Sequence, residues 1–347
     1  MAGGGTGGHV LPLLAVAEEL RRRGHEVLFI GTKKGIESRL VPAKGFEIEY
    51  IEIGGLKGVG LRRILQTLWR LPLSALHVFL LLSRRPHTVF SMGGYVAGPT
   101  VIAALLRRIP VVAMEPNAVP GITNLRLARY VTKTLLALPD TARYFPASKI
   151  EVTGLPVREE FFAIPPRPHS QPLRLLITGG SGGSRTLNNA ARQSWPLFRA
   201  AAYPIYILHQ TGRDAFEDTR AAFAKSGLEG EVVPFIENMP AAFASSDLIV
   251  SRAGAGAVAE LAAAGKPSIL VPFPFAADQH QLRNAEAFER AGAAQLILDK
   301  EMNGERLVKA VQDGAARLEQ MAAAARGLSR PGSTRRVADL LEELVDS

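Results

Sequence analysis

Strand-like and helical patterns alternate along this 347-residue chain, which predicts an α/β protein of two doubly wound, Rossmann-like domains. Three observations carry the expectation. The alternation occurs once in each half, each half opens on a glycine-rich loop that leads into a helix, and a proline-rich break separates them. Each half has enough chain for its own core.

In the first half, LPLLAVAEELRRRG (11–24) reads as a helix ending in basic residues and a glycine, and HEVLFIGT (25–32) as a short strand. VVAMEPN (111–117) and KIEVTGLP (149–156) read as later strands that run into loops. The prolines of FFAIPPRPHSQP (161–172) break both helix and sheet, so a linker is expected there. LRLLITGGSGGSRTLNNA (173–190) restarts strand, glycine loop and helix, followed by YPIYILHQTG, EVVPFIEN, DLIVSRAGAGAVAELAAAG and KPSILVPFPFA. The expected domains are therefore 1–160 and 173–330, with helix 331–347 joining the first.

Composition excludes several chemistries. The chain has no cysteine, which removes disulfides, thiolate metal sites and cysteine nucleophiles. It has no D-x-D pair and no histidine–carboxylate cluster at metal-ligand spacing, so no protein-held metal is expected. Diphosphate charge would then be met by backbone amides and basic side chains. No apolar run is long enough for a spanning helix, and the first residues carry no signal-peptide pattern.

The net charge of +9 sits entirely in the first half, where residues 1–160 carry 21 Lys and Arg against 12 Asp and Glu. No acidic residue occurs between Glu52 and Glu115. Within that gap, WRLPLSALHVFLLLSRRP (69–86) is strongly apolar and flanked by Arg62, Arg63, Arg70, Arg84 and Arg85. A buried core helix accounts best for its central leucines. The arginine flanks point to part of region 62–85 lying in an anionic membrane interface. Nucleic acid is not an expected partner, because no aromatic stacking pattern accompanies the basic residues.

The glycine loops are the candidate sites. GGGTGGH (3–9) suits a phosphate, because backbone N–H groups can approach it and a helix N-terminus favours its charge. Taken alone, a tight turn accounts for it as well. It lacks the acidic ribose ligand of a dinucleotide fingerprint. GGSGGSRTLN (179–188) repeats the device, and SRAGAGAVAE (251–260) is a third glycine turn, which places Glu260 in the first turn of a helix. Glu260 there either complements the helix dipole or accepts hydrogen bonds from ribose hydroxyls. DQHQLRN (278–284) by itself reads as a helix cap and a solvated face.

Together with SMGGYVAGP (91–99), EPN (115–117) and GLPVR (154–158), these segments, in this order, resemble the MurG family of N-acetylglucosaminyltransferases over nearly the whole chain. The resemblance implies a GT-B glycosyltransferase fold, with the active site in the interdomain cleft. It implies transfer of GlcNAc from UDP-GlcNAc to the 4-hydroxyl of MurNAc in lipid I, with inversion, by a peripheral enzyme on the cytoplasmic face of the cell membrane. No cofactor is implied. By matching position, Thr6, Gly7 and Gly8 would lie by the donor, and Asn117 and Arg158 would reach it from the first domain. Ser181 would approach the diphosphate, and Ile236 the uracil through its backbone. Ala255, Gly256, Ala257, Val258 and Ala259 would form the helix start at the diphosphate. Glu260 would bind ribose, and Gln281 the GlcNAc hydroxyls. His9 is the candidate base, since an imidazole titrates near neutrality.

Four departures accompany the resemblance. Gly182 stands where the family commonly has glutamine, Pro116 precedes Asn117 where glutamine is usual, and Ala257 replaces a frequent hydroxyl residue. Relatives also enter the first loop from an apolar strand, whereas only Met1 and Ala2 precede Gly3 here. We expect that strand to be missing from this chain and Met1 to be one of its internal residues. The alternatives are a GT-B transferase with another lipid acceptor, and an inactive UDP-sugar-binding protein that docks on membranes.

Overall fold

The computed structural model describes residues 1–4, 7–53, 61–84, 86–169, 171–276 and 279–345, with the backbone alone at 61–70 and 84. It divides into two units, Met1–Arg158 with Gly332–Ser347, and Glu159–Pro331.

The first unit carries strands β1 (Leu28–Gly31), β2 (Glu47–Tyr50), β3 (Val89–Ser91), β4 (Val111–Glu115), β5 (Lys133–Leu136) and β6 (Ile150–Val152). Its helices are α1 (Gly7–Arg22), α2 (Glu37–Ala43), α3 (Leu61–Leu81), α4 (Gly94–Leu106) and α5 (Ile122–Leu127). β1 pairs with β2, and β3 to β6 pair in order, all parallel. Ala2 joins the two ladders, forming parallel bridges to both Ile30 and Ser91. Its N–H donates to Phe90 O at 2.8 Å, and its carbonyl accepts from Met92 N–H at 2.9 Å. Two residues thus hold the position where a strand was expected to be missing.

α1 begins at Gly7, earlier than the expected residue 11, because Val10 is buried together with Leu13, Leu14, Val16, Ala17 and Leu20. Burial of one continuous face outweighs the low helix propensity of the glycines. α3 departs from the buried core helix expected for its central leucines: Val78 is buried, but Leu73, Leu76 and Leu80 are 60%, 55% and 61% exposed, because they lie on the helix face away from the core. Among the described residues, no helix is long and apolar enough to cross a membrane.

The second unit holds β7 (Leu173–Thr178), β8 (Ile205–Gln210), β9 (Glu229–Val233), β10 (Leu248–Ser251), β11 (Ser268–Leu270) and β12 (Ala294–Leu296). Its helices are α6 (Glu159–Phe162), α7 (Arg185–Ala200), α8 (Phe216–Ala224), α9 (Met239–Ala244), α10 (Ala255–Ala264), α11 (His280–Arg290), α12 (Gly304–Ala315) and α13 (Leu318–Leu328). The parallel sheet runs β12–β11–β10–β7–β8–β9. Leu175, Ile177, Ile207, Leu248 and Val250 pack with Trp195 and Phe198 of α7 and Val311 of α12.

Segment 161–172, read as a linker, lies within this second unit. Phe161 is fully buried, its ring 5.1 Å from that of Phe243. Arg167 Nε donates to Asp247 Oδ1 at 3.1 Å, and Arg174 N–H to Asp247 Oδ2 at 2.8 Å. Nearby, burial lowers Lys266 to a pKa of about 8, and its Nζ donates to Ser246 O at 2.7 Å. Regular structure in this segment ends with α6 at Phe162, before its prolines, and the rest is attached without it.

The chain ends on α14 (Ser333–Glu343), which packs against α1 in the first unit. Ser333 and Thr334 donate to the carbonyls of Leu155 and Val157, and Arg336 makes a two-pronged bond to Glu151 at 2.6 and 3.2 Å. Arg336 holds the Glu151 carboxyl below the usual carboxylate range. Arg23, in the turn that follows α1, bonds both Asp339 and Glu342.

His209, at the end of β8, is fully buried, and burial lowers its pKa to about 4. It is neutral when folded, so an unfolded histidine binds a proton that the native one refuses. Its contribution is complete above pH 6.5 and is lost as pH falls towards 4. We predict a loss of about 1.4 kcal/mol per pH unit across that window from this group. Denaturant titrations at stepped pH check it, and His209→Gln should flatten the slope.

Candidate active site

In an open parallel sheet, ligands bind beyond the carboxyl ends of the strands, where the strand order reverses. In the second unit the order reverses between β7 and β10. Two glycine segments singled out in the sequence flank that point: 179–184 after β7 and 252–254 after β10. In the first unit the reversal falls between Ala2 and β3, where Gly3 and Gly4, and residues 92–94, leave the sheet.

The first-unit site is built around that junction. Thr6 lies outside the described residues, and Gly7, Gly8 and His9 form the opening of α1. The His9 ring lies against Gly94 at the start of α4; a Cβ there would stand 3.3 Å from Cε1 and Nδ1. Thr123 Oγ1 donates to Gly94 O at 3.0 Å. The next residue, Asn124, donates from Nδ2 to Met114 O and Glu115 Oε2, both at 2.9 Å. Glu115 closes β4 at 1% exposure, and its other oxygen accepts from Asn117 N–H and Nδ2 at 3.0 and 3.3 Å. Burial pushes the Glu115 carboxyl above the usual range, against the donors that surround it. Contacts through residues 121–124 therefore link His9 to Asn117. Pro116 is buried in this loop, and Arg158 is exposed at the end of β6's following segment.

In the second unit, Ser181 and Gly182 are exposed at the tip of the β7–α7 loop. The loop is pinned at Gly183, whose φ is +73° and where a Cβ would come within 1.8 Å of Thr211 O. Ser184 caps α7, accepting from Leu187 N–H at 3.3 Å and from Arg252 Nη2 at 2.8 Å. Arg252 also donates to Val271 O at 3.0 Å and pairs with Asp299, so one guanidinium ties together the exits of β7, β10 and β11.

α10 starts at Ala255 after Gly254, which has extended backbone and no side-chain cap. A helix start of this kind presents its first N–H groups to an anion. Ala255 and Val258 face the core, and Gly256, Ala257, Ala259 and Glu260 are half-buried. Glu260 is the sixth residue of α10, outside the first turn where the sequence reading put it, because no helix forms before Ala255. That weakens dipole complementation as its purpose. Gln281 lies in α11, and its Oε1 accepts from Phe273 N–H at 3.0 Å. Ile236 N–H donates to Gln210 Oε1 at 2.9 Å. Among the described residues no cluster of His, Asp and Glu is placed to hold a metal ion.

The structure adds Glu115, Asn124, Gln210 and Arg252 to the residues named from sequence. Three of these four share a signal that a reader could have used: a polar residue closes or directly follows an apolar strand, as in VVAME, IYILHQ and LIVSR. Such a residue stands at the sheet edge where ligands bind.

Comparison with known proteins gives matches to the glycosyltransferase family 28 N-terminal domain over residues 1–136 and C-terminal domain over 174–344. A relative from Solibacter usitatus, a UDP-N-acetylglucosamine–N-acetylmuramyl-(pentapeptide) pyrophosphoryl-undecaprenol N-acetylglucosamine transferase, is 62% identical over 345 residues. That match covers 99% of this chain and 95% of the relative. The crystal structure of Acinetobacter baumannii MurG superposes with a TM-score of 0.81 at 34% identity, covering 98% of this chain and 97% of that one. A UDP-GlcNAc 2-epimerase from Neisseria meningitidis, bound to UDP-GlcNAc, shares the fold at a TM-score of 0.64, with 15% identity and coverage of 98% of each chain.

The pinned Gly183 gives a direct test of the second loop. Gly183→Ala should cost roughly 2–4 kcal/mol through the left-handed backbone and the approach to Thr211. Denaturant unfolding of the purified variant against the parent measures it.

Proposed function

The chain belongs to glycosyltransferase family 28, among its MurG members, and from that premise we infer its reaction and the roles of its residues. It is a UDP-GlcNAc-dependent N-acetylglucosaminyltransferase with the GT-B fold that converts lipid I to lipid II in peptidoglycan synthesis. The observation that carries this reading is 62% identity to the Solibacter usitatus transferase across 99% of the chain.

Inversion by a single displacement needs a base on the acceptor hydroxyl, a stabilised diphosphate leaving group and no enzyme nucleophile. His9 serves as the base at the MurNAc 4-hydroxyl, and its packing on Gly94 restricts the ring. The N–H groups opening α10, from Ala255 to Ala259, meet the diphosphate together with Ser181, and Arg158 offsets charge developing on UDP. Glu260, half-buried on α10, accepts from the ribose hydroxyls. Ile236 reads the uracil through its backbone. Gln281 and Asn117 approach the sugar, with Thr6, Gly7 and Gly8 beside it. Ala257 and Gly182 remove side-chain contacts but leave backbone donors in place.

The enzyme works peripherally on the cytoplasmic face of the membrane, because its acceptor is lipid-linked. The exposed Leu73, Leu76 and Leu80 on α3 support docking through region 62–85. The side chains of Arg62, Arg63, Arg70 and Arg84, and all of Arg85, lie outside the described residues.

Transfer of labelled GlcNAc from UDP-GlcNAc to a short-chain lipid I analogue, without added metal, tests the reading. Product is expected; binding of UDP without product would favour the inactive sugar-binding alternative. His9→Ala should lower kcat by about 10²–10⁴ while changing the donor KM little. Replacing Leu73, Leu76 and Leu80 together with serine should weaken sedimentation with anionic vesicles by at least about tenfold. Unchanged binding would remove α3 from the docking surface.

A further inference from the structure

Gln210 ends β8 at 1% exposure, and all of its hydrogen-bonding groups are directed at two neighbouring strand exits. Its Nε2 donates to Gly180 O at 2.8 Å and to Thr178 Oγ1 at 3.2 Å, on the β7 exit that carries Ser181. Its Oε1 accepts from Ile236 N–H at 2.9 Å, on the segment that follows β9. Thr178 Oγ1 also accepts from Gly180 N–H at 3.2 Å, so both polar groups of Gly180 are fixed by this cluster. No apolar side chain could make these bonds, and a carboxylate could make only those in which it accepts.

We propose that Gln210 is a positioning residue that sets the diphosphate loop at Ser181 and the uracil-reading backbone at Ile236 in one fixed register. The inference rests on the donor reading above and deepens it by assigning specificity for the base to a side chain that does not touch it. Since the Ile236 N–H is held by Gln210, the proposal assigns the contact with the base to the Ile236 carbonyl. A carbonyl can accept from a base that carries a ring N–H, such as uracil, and is mismatched to the bare ring nitrogen of cytosine. The choice of uridine then depends on where Gln210 holds residue 236.

Neighbouring residues reinforce the placement. His209 Nε2 lies 3.0 Å from Asn188 Oδ1, and Asn188 Nδ2 donates to Thr211 O at 3.0 Å. Thr211 N–H in turn donates to Val233 O at 3.0 Å, extending the β8–β9 pairing towards residue 236. The residues on either side of Gln210 are therefore anchored in the sheet and in α7, so its carboxamide has little freedom to seek other partners.

Two variants separate its two functions. Gln210→Met keeps the length of the side chain and removes all three bonds. Gln210→Glu keeps an acceptor for Ile236 N–H and loses the donors towards Gly180 O. UDP, CDP and uridine are titrated calorimetrically against each full-length protein, and donor KM and kcat are measured in the transfer assay.

Gln210→Met is expected to raise the donor KM by about 10–100-fold, to lower kcat by less than that, and to erase most of the UDP-over-CDP preference. Gln210→Glu is expected to keep that preference while losing affinity for UDP more than for uridine. A merely structural role would lower the active fraction, and hence kcat, while leaving KM and base preference at their parental values. That outcome overturns the proposal, as does parental behaviour of both variants when the parent binds UDP. If Gln210→Met does not fold, Gln210→Glu decides alone, through its ratio of UDP to uridine affinity. A parent protein that binds no UDP overturns the donor reading and this inference together.

Discussion

A parallel strand cannot return to its neighbour through a tight turn, so each connection within these sheets must cross over one face before the chain re-enters. Every strand therefore releases its chain at the same edge of its sheet. Where the order reverses, two of these exits diverge and leave room between them. In this protein that constraint places the glycine segments 179–184 and 252–254 side by side in one unit. In the other it places Gly3 beside Met92. The chemistry of the site depends on this arrangement more than on any single contact.

Backbone leaving a sheet edge would wander without cross-links, and the structure supplies them with buried polar side chains. Arg252 ties three exits on one side of the second unit, and Gln210 ties two on the other. In the first unit Glu115 gathers Asn117, Gly121 and Asn124. Buried polar groups of this kind are costly unless every atom is satisfied, which makes their geometry narrow. That narrowness suits a nucleotide-sugar site, where a displaced donor N–H loses much of its effect on a developing charge.

The two units divide the electrostatic work unevenly. All of the excess positive charge lies in residues 1–160, and the second half is balanced. Helix α3, on which Leu73, Leu76 and Leu80 are exposed, belongs to the same basic unit. In the docking proposed above, the unit's net positive charge is what would draw it to anionic lipid, and these leucines are what would insert. A balanced unit fits the proposed donor site, in which the diphosphate charge is assigned mainly to backbone N–H groups.

Much of this was legible in the sequence, because its signals are local. The alternation of short apolar runs with amphipathic stretches gave two α/β halves, and the glycine segments marked the exits, since only a backbone without side chains can crowd as Gly183 does against Thr211. The order of weak motifs pointed to the family. What lay beyond reach were relations between distant residues. His9 meets Gly94, Gln210 bonds a carbonyl 30 residues away, and Ser333 returns to Leu155 across 178 residues. Proline-rich 161–172 read as a linker because prolines forbid regular backbone, yet Phe161 and Arg167 attach it to the second unit. Composition and periodicity record what each segment can become by itself. Which polar atoms satisfy one another is decided only when crossovers bring strand ends together, and that geometry is a property of the tertiary structure.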